Sequence, residues 1–317
     1  MRESHRHNLN GRAGAAFDYL EENSHDLRVG ISSVAKTKVI DCGVKSPGGL
    51  TAGLQLARIC LSDYAQVELK NGNDGVVIQV YSDHPILACL ASQYAGWQIN
   101  VGSFFAMGSG PMRAAYGKEK LFEQFPDYKE LPSEAVGVLE TRKPPTAEVI
   151  DFIAHKLPPG VDKIKLAYAP TASLAGSIQV VARSLETALH KLHELKFDLT
   201  KIVSGHGVAP MPPIGKDDIQ AIGWTNDAIL YGGKVTLWVN SDDDVLNEIG
   251  SKVPSRASAD FGRPFGEIFK SYNGDFYKID PMLFSPAEIT FVNLKTGRLF
   301  RFGRVEPDLL RKSFAGY

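Results

Sequence analysis

A guanidinium and a carboxylate three residues apart, Arg183 and Glu186, stand in the stretch "VVARSLETALHKLHEL" that begins at Val180. A carboxylate paired with a cation can be the working part of an active site. The same i,i+3 pair on an exposed helix face is an ordinary ion pair worth about 0.2–0.5 kcal/mol. Ile178, Val181, Leu185, Leu189, Leu192 and Leu195 recur at helical spacing and form the apolar stripe of a helix. Arg183 and Glu186 lie off that stripe, so periodicity alone favours a solvated pair. Against it stands the run "TASLAGS" (171–177) just upstream, whose small side chains either cap the helix or leave room for a ligand over its start.

Other stretches carry weaker signals. "FFAMGSGPMRA" (104–114) places Gly108, Ser109 and Gly110 before Pro111. Such a turn lets backbone N–H groups approach an anion, or it is simply tight; it matches neither a Walker loop nor GxGxxG. His206 lies between two glycines in "SGHGVAPMPP" (204–213), accessible to a substrate or merely a loop residue. Asp83 and His84 are adjacent and therefore do not face each other on a helix, which makes Asp83 a cap for the helix expected at 84–96. No HExxH, HxH or Cys/His spacing of a metal site occurs, and no GxSxG elbow, so no metal is expected.

The elements that must position these residues alternate in type. Strands are expected at 37–44, 65–70, 75–82, 134–141, 162–170, 201–207, 234–239, 288–294 and 298–305. Helices are expected at 13–23, at 48–61 with Thr51 as cap, at 84–96, at 146–157 with Thr146 as cap, and from Val180 onward. "NGNDG" (71–75) and "KTG" (295–297) read as hairpin turns. The fold class is α/β in its mixed α+β form, with mixed sheets and antiparallel hairpins rather than a pure βαβ array. The two prolines and two basic residues of "TRKPP" (141–145) suggest a boundary between an N-terminal domain, 1–140, and a C-terminal domain, 141–317, unless the domains interleave.

Bulk composition narrows the partners. The chain has 317 residues, with 35 Lys plus Arg against 36 Asp plus Glu, so no global basic field favours nucleic acid. No apolar run reaches the length of a membrane span. Cys42, Cys60 and Cys89 are sparse and form no CxxC, which points to a reducing compartment, the cytoplasm, and no disulfide framework. The polar start "MRESHRHNLNGRAG" lacks the apolar core of a secretory signal.

Taken in order, "DCGVKSPGG", "SDHPILACLASQYAGWQI", "FFAMGSGPMRA", "APTASLAGSIQVVARSLETALHKL", "IVSGHGVAPMPP", "TNDAILYGG" and "GRPFGEIFKSYNGDFYKIDPMLFSPAEITFVNLKTG" resemble one family, the methenyltetrahydromethanopterin cyclohydrolases, from about Asp41 to Arg304. The resemblance implies two-domain α/β subunits with substrate between the domains, assembled as cytoplasmic homotrimers. It implies a one-carbon unit bridging two nitrogens of a reduced pterin as a methenyl cation, hydrolysed to the N5-formyl product without metal or redox cofactor. It assigns the R-x-x-E pattern, here Arg183 and Glu186, to catalysis, with Glu186 orienting and deprotonating water and Arg183 as its partner. Thr171, Ala172 and Ser173, then Gly108, Ser109 and Gly110, and Phe284 with Ser285 in "DPMLFSPA", fall on segments that the resemblance implies contact substrate; a purely structural turn is the competing reading for each. Other function classes stay open at this point: a reduced-pterin-binding paralogue without chemistry, and a phosphate or nucleotide binder built on "AMGSGP", which lacks the Lys of a Walker loop.

Overall fold

The computed structural model describes residues 7–274 and 278–315. Helix α1 (Leu9–Glu22) begins where Asn8 accepts a hydrogen bond from the Gly11 amide, so it starts about a turn earlier than expected. The hairpin β1 (Gly30–Val34) and β2 (Thr37–Asp41) turns through Ala35 and Lys36, both left-handed. Helix α2 (Leu50–Cys60) is capped by Gly49 without a side-chain bond, and Thr51 lies inside it rather than at its cap. The hairpin β3 (Gln66–Gly72) and β4 (Gly75–Ser82) pairs Gly72 with Gly75, which puts Asn73 and Asp74 in the two-residue turn that the sequence signals.

A π-helical segment (Ile86–Gln93) replaces the α-helix expected at 84–96, and Tyr94 N–H reaches five residues back to the Cys89 carbonyl. Its entrance is held by Ser82, whose hydroxyl accepts from the His84 amide, and not by Asp83. There follow β5 (Trp97–Val101), β6 (Phe104–Ser109), the short helices α3 (Met112–Tyr116) and α4 (Leu121–Gln124), and β7 (Glu134–Glu140). Helix α5 (Ala147–Lys156) has Thr146 at its cap position, with no side-chain capping bond. Then come β8 (Lys163–Ala169), α6 (Leu174–Val181) and α7 (Ser184–Glu194). The remainder is β9 (Ile202–Pro210), α8 (Asp218–Gly232), β10 (Lys234–Val239), α9 (Asp243–Gly250), α10 (Phe265–Ser271), β11 (Glu288–Asn293), β12 (Leu299–Gly303) and α11 (Pro307–Phe314).

The chain forms two interleaved units: the residues up to Tyr64 with Leu87–Gln179, and Ala65–Ile86 with the residues from Val180 on. The first holds a sheet ordered β1-β2-β8-β7-β6-β5, parallel across β2, β8 and β7 and antiparallel at both margins. Ile40 and Ala167 meet α1 and α2 on one face, while Val39 and Leu166 meet α5 on the other, the alternation a strand requires. The proline-rich segment 141–145 is no boundary. It turns from β7 into α5 inside this unit, and the strands flanking it pair in parallel, Glu140 opposite Ala169. The prolines there end a strand and admit a helix; they do not separate domains.

The second unit holds a sheet ordered β12-β11-β10-β9-β4-β3, antiparallel except between β10 and β11. Helix α7 packs on β4, β9 and β10. A separate cluster gathers Leu230 and Tyr231 of α8, Phe265 and Ile268 of α10, Ile279 and Leu283.

Candidate functional site

The helix expected to run without interruption from Val180 breaks at Ala182–Arg183. Arg183 donates its amide to the Val180 carbonyl (3.0 Å) and accepts from the Thr187 amide (2.9 Å), which makes it the cap residue of α7. Glu186 is then the third residue of the new helix, with its carboxylate at the positive end of the helix dipole. Both side chains are buried, Arg183 at 7% and Glu186 at 4% exposure. A solvated surface pair is therefore ruled out, although both residues lie off the apolar stripe.

Two glycines bring this turn down onto the sheet. A Cβ on Gly207 would stand 2.6 Å from Ser184 Oγ and 2.9 Å from the Leu185 amide, and one on Gly205 would stand 2.7 Å from Leu185 Cδ1. Only strand positions without side chains let the first turn of α7 lie on β9. The glycines flanking His206 thus serve the approach of the helix that carries Glu186.

His206 itself occupies the alternate position on β9, in a cleft of about 500 Å³ shared with Tyr81, Asp83, Ser204, Trp238 and Leu294. Burial pushes its imidazole below the ordinary histidine range. Ser204 Oγ donates to Asp83 Oδ1 at 2.7 Å, the use the structure finds for Asp83. None of the expected catalytic or substrate-binding residues lines this cleft.

In the first unit the Gly/Ser turn is an anchor. Ser109 is fully buried and donates its hydroxyl to the Gln93 carbonyl (2.7 Å); Gly110 N–H donates to the Ser92 carbonyl (2.9 Å) with φ at +90°. Arg113 completes the clamp. At 0% exposure it donates Nη1 to the carbonyls of Leu90 (3.2 Å) and Ser92 (3.0 Å) and pairs with Glu119. Ser109 and Gly110, just after Gly108, thereby fix the end of the π-helical segment, with the Ser109 hydroxyl already engaged.

The small-residue segment after β8 is closely packed against the loop after β2. Ser173 Oγ donates to the Pro170 carbonyl (2.8 Å) and accepts from Gly176 N–H (3.0 Å), and Ser177 Oγ donates to the Thr171 carbonyl (2.9 Å). Asp41, at the end of β2, gathers four amides: Gly43 and Val44 on Oδ1, Lys45 and Ser46 on Oδ2, at 2.7–3.1 Å. A Cβ on Gly43 would meet Ser173 Oγ at 2.5 Å, so the two loops touch. Both leave the carboxyl ends of neighbouring parallel strands, the place where open α/β sheets bind ligands.

In the second unit, Phe284 sets its ring edge-on to Phe265 at 5.8 Å, and Ser285, fully buried, donates its hydroxyl to the Val253 carbonyl. Just before them the turn Pro281–Leu283 is held to α7 by Lys191, whose ammonium donates to the Met282 carbonyl. Lys191 is 1% exposed, and burial pulls its pKa down to about 8 against the opposing charge of Asp280. Sequence reasoning passed over Lys191, Asp41 and Arg113. Lys191 lies next to a polar arc and reads as one more solvated lysine; only Asp41 carries a local cue, a carboxylate followed by a Gly- and Pro-containing turn. Among the described residues no three His, Cys, Asp or Glu side chains cluster as metal ligands would, and no helix is long and apolar enough to cross a membrane.

Comparison with known proteins adds to this geometry. The family model described as Cyclohydrolase (MCH) matches residues 8–314. Similar proteins named methenyltetrahydromethanopterin cyclohydrolase include one from Rhodopirellula baltica, 48% identical over 96% of this chain and 94% of its own length. Others are from Methylobacillus flagellatus, 42% identical over 94% of this chain and 92% of the relative, and from Methanosarcina barkeri, 43% identical over 92% and 93%.

Proposed function

This chain belongs to the methenyltetrahydromethanopterin cyclohydrolase family, hydrolases of a cyclic amidine C–N bond, and we propose that Glu186 and Arg183 carry its chemistry. The substrate of the reaction is the methenyl cation of a tetrahydromethanopterin, in which one carbon bridges two nitrogens. That carbon is already electrophilic. Water adds to it while the Glu186 carboxylate accepts one of the water's protons. The C–N bond to the second nitrogen then breaks, the hydroxyl proton leaves as that nitrogen is protonated, and the formyl group stays on N5. One proton is released overall.

The observation that carries this reading is the burial of Glu186 in the first turn of α7. A carboxylate kept out of bulk water interacts strongly with a developing or resident cation, because the surroundings screen it less. Arg183, the cap residue of the same turn, is its partner and fixes its orientation. Thr171, Ala172 and Ser173 shape a ligand-accepting loop at the strand ends of the first unit, and Phe284 supplies an apolar wall in the second. Ser109, Gly110 and Ser285 support through the anchoring bonds described above, and Gly108 lies on β6 between Trp97 and Leu139 of the neighbouring strands. The reading takes the pterin as carrier of the one-carbon unit without a further cofactor, and a homotrimer working in the cytoplasm.

The test is Glu186→Gln, with the loss of methenyl absorbance followed in time. Removal of a general base costs about 10²–10⁴-fold in rate. A folded variant that turns over at close to the wild-type rate removes Glu186 from the mechanism.

A further inference from the structure

Lys191 is a buried cation that the proposed mechanism does not use. It sits on α7, five residues beyond Glu186, which corresponds to about 7.5 Å along the axis and roughly 140° around it. Its ammonium donates to the carbonyl of Met282. A methionine or leucine would fill the same space without desolvating a charge, and buried ion pairs are often matched in stability by apolar replacements. What an apolar residue cannot do is hold the 281–283 turn to the helix.

That turn has other supports. Asp280 Oδ1 accepts from the Met282 amide (2.9 Å), Oδ2 accepts from Ser258 Oγ (2.6 Å), and the Asp280 amide donates to Asp260 Oδ2 (3.1 Å). Tyr272 binds Asp260 in turn, with its hydroxyl 3.1 Å from both carboxylate oxygens. These bonds shape the turn from its own side, without any contribution from α7. The bond from Lys191 is different in kind, since it joins the turn to the helix that carries Arg183 and Glu186.

We propose that Lys191 is a positioning residue, which pins the Pro281–Leu283 turn to α7 and so fixes Phe284 relative to Glu186. This rests on the reading of Phe284 as a wall of the substrate site. The turn keeps its own bonds, so losing Lys191 leaves it formed on average but lets it open more often and shift against the helix. Phe284, the next residue, shifts with it.

The experiment uses Lys191→Met, which keeps the length and apolar stem and removes the ammonium. The expected result has three parts: a melting temperature within a few degrees of wild type, amide exchange at residues 282–284 faster by about tenfold, and KM for the methenyl substrate raised by about tenfold with kcat changed less than threefold. The exchange readout needs no substrate and judges the pinning by itself. Unchanged exchange at 282–284 overturns the proposal, and so does a variant that melts far lower with KM unaltered, the mark of a merely structural lysine. Faster exchange with unaltered KM shows that Phe284 does not bound the substrate and also overturns it. A wild-type chain that does not turn over the methenyl substrate refutes the proposed function, while the exchange result still decides whether Lys191 pins the turn.

Discussion

Asp227→Asn should stabilise the second unit at alkaline pH and do so much less at acid pH. Asp227 is 1% exposed on α8, where Oδ1 accepts the Phe265 amide at the start of α10 (2.8 Å) and Oδ2 accepts Ser313 Oγ from α11 (2.6 Å). Burial pushes its carboxyl up from 3.8 to about 7, more than its two hydrogen bonds pull it down. Between those values the folded chain holds a proton that the unfolded chain has released, so this group's contribution to stability is intact below pH 4 and is lost as pH rises to about 7. At about 1.4 kcal/mol per pH unit, the full loss is about 4 kcal/mol. Asparagine is neutral at every pH. Its oxygen still accepts the Phe265 amide and its NH₂ donates to Ser313 Oγ, which can turn its own proton aside. The gain of the variant over wild type is then about 4 kcal/mol at pH 8 and falls to between about 1 and 2 kcal/mol at pH 5. Urea melts of both proteins at the two pH values measure this, read by tryptophan emission, since Trp224 and Trp238 of the three tryptophans lie in the second unit. Other titrating groups are common to both proteins and cancel in the difference. An equal gain at pH 5 and pH 8, or a larger one at pH 5, would show that Asp227 is ionised in the fold at both and would refute the reasoning.

Two further outcomes follow from the first unit. Gly176→Ala places a methyl group inside van der Waals contact of the Pro170 carbonyl oxygen, a backbone atom that cannot swing aside. The loop 170–173 must move, so KM should rise at least severalfold or the melting temperature fall, and a variant with both unchanged would exclude that loop from the substrate site. Ser109→Ala removes the bond to the Gln93 carbonyl from a fully buried site, which should cost about 1–3 kcal/mol in thermal or urea melts while KM stays within about twofold; a KM effect without a stability loss would reassign Ser109 to direct substrate contact.

Much of the local structure was legible in the residues themselves. The β3–β4 turn at Asn73-Asp74 and the β11–β12 hairpin need only a short polar turn between β-forming runs, so neighbouring residues suffice to specify them. The family motifs were equally readable, because their order and spacing survive without coordinates. Helix α8 was not legible. Its apolar residues lie all round rather than in a stripe, since it is buried on several sides. The π-helical segment escaped for another reason: its end is set by Ser109, Gly110 and Arg113, outside any window that contains it.

The same division holds at the site. The sequence by itself displayed the candidates: the Arg183-x-x-Glu186 pattern, the small-residue loop and the glycines around His206. Tertiary structure alone decided that this pair is buried, that the helix restarts at Arg183, and that those glycines exist to seat its first turn. It also brought Lys191 to Met282 across 91 residues and Asp227 to Ser313 across 86. Element type follows from local periodicity, which a sequence displays directly. The surroundings of a polar side chain are set by whichever distant segment packs over it, and that contact leaves no periodic trace.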